Sequence, residues 1–290
     1  MYKKRYFFSL VLPALIIFAF VVAIPTILGF SYAFTDWDGG VGKALNFVGF
    51  KNFGKIFEQS ATGRQPLTST IVYTLVFSMA SLVTINLFGF GLAYILNQKF
   101  IKGRNILRGA FFLPNLLSGL VLGYLWQKIF DYGITSLFPD FLNGESIRTA
   151  GRWWGLFAMV IVYTWQMAGY VMVIYIAALQ NVNKTLVEAA KIEGASRFKI
   201  FRSVILPSIV PAITISFFLV ISGSFKMFDL NFAIAEDRAG FSFLAVDIYK
   251  TASVDRAYGL AQAKSVIFVI LVSLISVTQV YITKKYEVKA

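Results

Sequence analysis

Six stretches of this 290-residue chain contain no Asp, Glu, Lys or Arg and are long enough to cross a bilayer, which takes about 20 helical residues. They run Phe7–Thr35, Gln65–Gln98, Gly109–Gln127, Trp153–Asn183, Ser203–Phe225 and Ser265–Thr283. In hydrocarbon every backbone N–H and C=O must be satisfied within the protein, so such a stretch is a helix and not a loop. Composition agrees: only 14% of residues are charged, against about 25% in soluble domains. There is no linker rich in Pro, Gly or Ser and no internal repeat. Residues 1–290 therefore read as one all-α integral membrane domain of about six transmembrane helices. The Lys3-Lys4-Arg5 run before the first stretch has the look of a signal peptide. Its apolar run is too long for one and lacks a small-residue cleavage site, which predicts a retained helix.

Charge orients the chain. The N-terminus, residues 99–108, residues 184–202 and the tail from Lys284 hold 15 of the 27 Lys and Arg residues but only three acids. These acids are Glu188, Glu193 and Glu287. Of the net charge of +13, +12 thus falls on one face of the membrane. The positive-inside rule makes that face the cytoplasm and puts both termini there. The basic balance is a topology signal and predicts no nucleic-acid partner. Residues 36–64, 131–152 and 229–262 then face outward and are candidate docking surfaces.

Several chemistries are excluded by what is missing. With no Cys and no His, the chain has no disulfides, no Cys/His metal site and no histidine acid–base chemistry. No acid lies inside any of the six stretches, which removes the coupling carboxylates of a secondary transporter and the paired carboxylates of an intramembrane hydrolase. Gly42-Lys43 is not a phosphate loop: Trp37 stands where the first glycine belongs and Ala44 where Ser or Thr is required. A membrane scaffold is compatible with the composition but gives no reason for the pattern that follows.

The loop between the fourth and fifth stretches is unlike the others. It reads Glu188-Ala189-Ala190-Lys-Ile-Glu-Gly194-Ala-Ser196-Arg-Phe198, and it leads to Val204-Ile-Leu206-Pro207. Thr185 and Glu188 have capping-box spacing for a helix over Thr185–Ile192. Gly194 supplies a turn or left-handed helix end, and Ser196 can cap a second short helix carrying Phe198, Ile200 and Phe201. Two short helices bent at a glycine are expected outside the membrane, with Pro207 opening the next span, where a missing N–H costs least.

This spacing resembles the EAA loop of the permease subunits of binding-protein-dependent ABC importers, with Val204 where Ile is usual and Glu193 where Asp is common. Ser31–Asp38, Phe47–Phe53, Arg108–Pro114 and Phe228-Asp-Leu are similar to the first permease of maltose-, glycerol-phosphate- and multiple-sugar-type systems. Residues 235–240 depart from that pattern, lacking its Gly-Gly-Pro stretch. The resemblance implies a multi-pass subunit of a bacterial or archaeal cytoplasmic membrane, surrounded by lipid. It implies a second homologous permease, two ATP-binding-cassette ATPases that hold the ATP and magnesium, and an external solute-binding protein that delivers a carbohydrate. No cofactor is expected in this chain. Residues 184–203 would couple to the ATPase through Glu188, Ala189, Ala190, Gly194, Ser196, Phe198, Leu206 and Pro207.

Tyr163, Gln166 and Tyr170 share a helical face at i, i+3 and i+7, and a Gln inside a membrane faces the bundle or a cavity. Ser222, Gly223, Ser224 and Met227 form a small polar patch on the fifth stretch. By ungapped correspondence with maltose-type permeases, the sugar-contacting positions are Tyr163, Gln166, Met167, Tyr170, Val220, Gly223, Ser224 and Met227. Gly89, Gly91, Gly119 and Gly123 read as helix-packing positions. Lys128, Lys226, Asp229 and Lys264 read as span-end charges able to snorkel.

Overall fold

The computed structural model describes residues 4–40, 45–58, 65–98, 100–235 and 240–285. Lys3, the Gly42-Lys43 pair, Lys99, the departing stretch around residues 236–239 and the tail from Tyr286 lie outside the described residues. The described residues are helical, with one isolated antiparallel bridge between Thr35 and Phe47.

Five helices among the described residues are long and apolar enough to cross a membrane: Phe8–Tyr32, Leu67–Leu96, Arg152–Gln180, Arg197–Phe225 and Tyr258–Lys284. These are the first, second, fourth, fifth and sixth spans. The third is a broken pair, Arg104–Leu116 and Gly119–Leu137, bent by 98°. The sequence predicts an unbroken helix there, and the difference has a local cause. Pro114 sits in a tightened turn over Leu113–Leu116, and Leu117 and Ser118 are extended, with ψ of 138° and 139°. Proline supplies no N–H, and a charge-free window hides a break of two residues.

Two other prolines are absorbed without a break. Ile24, before Pro25, donates to the Ala19 carbonyl, and Leu206, before Pro207, donates to that of Phe201. Each is one π-type turn directly upstream of the proline, a local widening that tolerates a lost bond. As a result the short helix expected after Ser196 is not separate. Arg197–Ile200 runs through the turn at Phe201–Ile205 into the fifth span as one helix of 29 residues.

The chain forms two compact units. Residues 1–69 with 247–270 make the first. In it Trp37 lies between Tyr32 and Tyr258, at ring distances of 4.5 and 5.1 Å. The Asn52 amide donates to the carbonyls of Ala33 and Thr35 at 2.9 and 2.8 Å, holding the short helix Lys51–Lys55 against the end of the first span. Hydrogen bonds from the side chain and backbone of Asn46 hold the Asp36 carboxyl below its ordinary range. Lys264 is buried and paired with Asp247 at 2.7 Å and Thr251 at 2.9 Å. It does not snorkel, because a carboxylate and a hydroxyl meet it inside the protein.

Residues 70–246 with 271–290 make the second unit. Its core is apolar and aromatic: Phe77 stacks on Phe243 at 4.5 Å and meets Tyr163 at 5.5 Å, among buried Leu122, Met159, Met172 and Leu230. Small residues let helices approach. A Cβ on Gly89 would stand 2.8 Å from Val171, and one on Gly123 would overlap Ala233. Gly91 meets nothing within 4 Å and has no such packing role. A polar network ties three spans together. Asn86 Oδ1 accepts from Tyr175 and Ser216 hydroxyls, each at 2.7 Å.

Candidate functional site

The loop between the fourth and fifth spans begins with a helix over Lys184–Ile192. Its N-cap is Asn183 and not Thr185: the Asn183 Oδ1 accepts from the Thr185 N–H at 2.9 Å and its hydroxyl at 2.6 Å. The helix therefore starts two residues earlier than the capping box would place it, and Glu188 stands exposed in the helix body. The C-terminus is a Schellman turn. The N–H of Ala195 reaches the Ala190 carbonyl and that of Gly194 reaches Lys191, both at 3.0 Å. Gly194 has φ +77°, the left-handed conformation that glycine adopts without penalty. Ser196 then caps the following helix through the Lys199 N–H at 3.3 Å.

The result is a bent, solvent-facing element. Ile192 and Phe198 are 88% and 70% exposed. Ala189 is exposed and Ala190 partly so, while Lys191, Arg197 and Lys199 are exposed beside them. Leu206 and Pro207 are half-buried within the fifth span.

A second feature lies where two helix breaks meet. One break is Leu117-Ser118; the other is Lys226–Phe228, between Leu206–Phe225 and Asp229–Ala235. Gly119 follows the first break, and a Cβ there would stand 2.9 Å from that of Asp229. Between them is a cavity of about 380 Å³ lined by Gly119, Tyr163, Gln166, Gly223, Lys226, Met227, Phe228, Asp229 and Leu230. Gln166 Nε2 donates to the Leu117 carbonyl at 3.3 Å, meeting an acceptor that the bend leaves without a helical partner. Discontinuous helices of this kind expose backbone polar groups only where they line a cavity or are covered by protein.

Four of the eight sugar-contact candidates therefore come together here: Tyr163, Gln166, Gly223 and Met227. The other four lie outside the wall. Met167 Sδ accepts from Asn115 at 3.2 Å, and Tyr170 packs on Phe112 at 6.3 Å. Val220 and Ser224 are fully buried, with the Ser224 hydroxyl donating to the Val220 carbonyl at 2.7 Å. Sequence reasoning missed Gly119, Phe228 and Leu230 as wall residues, and read Lys226 and Asp229 as snorkelling charges. Their signal was the close spacing of two opposite charges right after an apolar helix.

Comparison with known proteins fits this architecture. Residues 85–288 match the family described as "Binding-protein-dependent transport system inner membrane component". The chain is 38% identical, over 100% of both chains, to the probable starch degradation products transport system permease protein AmyD of Thermoanaerobacterium thermosulfurigenes. It is 31% identical to the multiple sugar-binding transport system permease protein MsmF of Streptococcus mutans, over 91% of this chain and 90% of that one. A solved bacterial alginate ABC transporter, in complex with alginate pentasaccharide-bound periplasmic protein, contains a chain of the same fold. The TM-score is 0.80 at 20% identity, covering 97% of this chain and 95% of that one. With six apolar spans counting the bent pair, and a family match over most of its length, the chain belongs to the inner membrane components of binding-protein-dependent transport systems and is a multi-pass protein of the cytoplasmic membrane.

Proposed function

We propose that this subunit carries a carbohydrate, most simply an oligosaccharide, through the membrane of an ATP-driven importer by alternating access. The observation that carries this reading is the cavity at two helix breaks, walled by Tyr163, Gln166 and Met227. Aromatic and hydrogen-bonding side chains are what a sugar's C–H faces and hydroxyls require. The names of AmyD and MsmF support the same cargo class. A secondary transporter would need a free coupling carboxylate inside its spans; the acid within the described spans, Asp131, is paired with Arg148.

The whole chain, residues 1–290, acts as one permease domain. It works beside a second homologous permease, two ATP-binding-cassette ATPases and an external solute-binding protein. ATP and magnesium reside on the ATPases. Residues 184–203 seat on an ATPase subunit. The exposed Ile192 and Phe198 supply apolar contact area, and Glu188 supplies a charge for a basic partner group. The Schellman turn at Gly194 fixes the angle between them. ATP binding favours the outward-open state and hydrolysis resets it. Each ligand acts only through its different affinity for the two states.

The test is purification of the tagged chain from its membranes, followed by reconstitution. Recovery of two ATPase copies and one further permease, with ATP-dependent uptake of an oligosaccharide in the presence of the binding protein, supports the proposal. A chain that purifies alone and moves solute along an ion gradient refutes it.

A further inference from the structure

We infer that Lys226 and Asp229 form a charged clamp on the cargo and set a preference for uncharged saccharides over acidic ones. This rests on the carbohydrate reading of the cavity and adds its charge selectivity. Both residues line the cavity and both are solvent-exposed. Among the described residues neither side chain makes an ion pair or a hydrogen bond. By contrast, two buried cations have carboxylate partners: Lys264 pairs with Asp247, and Arg148 with Asp131 in two hydrogen bonds of 2.6 and 2.7 Å. Two opposite charges without a protein partner on one cavity wall are therefore available to a ligand.

The local backbone explains why the two do not satisfy each other. Lys226 closes the fifth span, with its N–H on the carbonyls of Ser222 and Ser224, and Asp229 opens the next helix. Met227 and Phe228 lie between them in the turn. The carboxylate side is backed by Gly119, where there is room for no side chain. A ligand in the cavity thus meets a carboxylate and an ammonium presented from successive turns. A sugar suits this pair. Adjacent hydroxyls donate to the Asp229 carboxylate, and a hydroxyl, ring or glycosidic oxygen accepts from the Lys226 ammonium. The two charges cancel, so a uronate finds no net positive charge to replace its hydration, and Asp229 repels it.

The clamp is tested on the purified importer, both permeases and both ATPases, in lipid nanodiscs without the binding protein, whose own selectivity would mask the permease. Saturation-transfer NMR reads weak binding of three probes: maltotetraose, xylotetraose and tetragalacturonate. The unaltered importer is expected to bind at least one neutral tetrasaccharide about fivefold or more above the uronate. Asp229→Asn weakens the neutral sugar about tenfold and raises the uronate relative to it. Lys226→Gln weakens both. Asp229→Glu restores the neutral preference, which a merely structural role for Asp229 would not predict. Tetragalacturonate bound in preference by the unaltered importer overturns the clamp, as do variants whose ratios stay within twofold. Binding of none of the three probes overturns the carbohydrate reading itself, and the clamp with it.

Discussion

Gly169 of the fourth span packs directly on the backbone of Phe111, so that any Cβ at this position would overlap the Phe111 carbonyl. This contact presses the first arm of the broken third span onto the fourth, immediately before the bend that opens the cavity. Gly169→Ala is expected to cost about 1–3 kcal/mol by overpacking. Thermal unfolding of the purified complex should show it, and Gly91→Ala, at a position with open space, should leave the midpoint unchanged.

At Gly194, φ of +77° makes Asp costly although nothing within 4 Å would obstruct its Cβ. Gly194→Asp is expected to lose about 1 kcal/mol of local conformational preference and to change the angle between the loop helix and the start of the fifth span. The altered chain should reach the membrane with a normal yield and lose its ATPase subunits on purification. Full uptake with the ATPase retained would remove the loop from the coupling role.

Gln166 and Tyr170 lie one turn apart on the same helix but meet different surroundings. Gln166→Leu leaves the Leu117 carbonyl without its donor, a loss of about 1–3 kcal/mol, and removes a cavity amide. Its uptake should fall at every sugar concentration. Tyr170→Ala removes packing on Phe112 away from the cavity. It should lower the unfolding midpoint while the sugar dependence of uptake keeps its shape. Equal effects of the two on that dependence would contradict the cavity's boundary.

Lys264 and Asp247 are each about 95% buried, at 5% and 3% exposure. Lys264→Met alone leaves a buried carboxylate without its cation and should destabilise the protein by about 3–5 kcal/mol. The double change Lys264→Met with Asp247→Leu should recover most of that. A double variant as unstable as the single one would show that Asp247 has another role.

Orientation follows from the partition of +12 against +1 formal charge. A reporter after Ala290 should be cytoplasmic, and reporters at Gly40 and Gly144 external. Alkaline phosphatase and fluorescent-protein fusions read this directly, and a cytoplasmic Gly144 would refute the six-span arrangement.

The spans were legible because length without charge is a property of sequence alone. Five of the six windows became continuous helices whose ends lie within a few residues of the nearest charges. The break at Leu117-Ser118 was not legible by that criterion, although Pro114 and Gly119 mark it. The loop was legible in its punctuation: Gly194 turns left-handed because it carries no Cβ, and Ser196 caps through its hydroxyl. The cap at Asn183 was not, because Asn183 and Thr185 are both good capping residues and the sequence does not choose between them. In the cavity, Tyr163 and Gln166 could be paired through helical periodicity. Tyr170 could not be separated from them, because i+7 keeps the face but moves about 10 Å along the axis. Gly119 and Asp229 are joined only by the meeting of two breaks, which no local pattern contains.

The buried pair of Lys264 and Asp247 has a consequence for biogenesis. The two are 17 residues apart, and the carboxylate is synthesised first. When the last span leaves the ribosome, its lysine can find a partner already made. A cation that would otherwise hold the start of this helix at the lipid surface can enter the insertion machinery neutralised. The pair thus joins the final span to the helix before it, and a chain truncated before Tyr258 would leave Asp247 without its lysine.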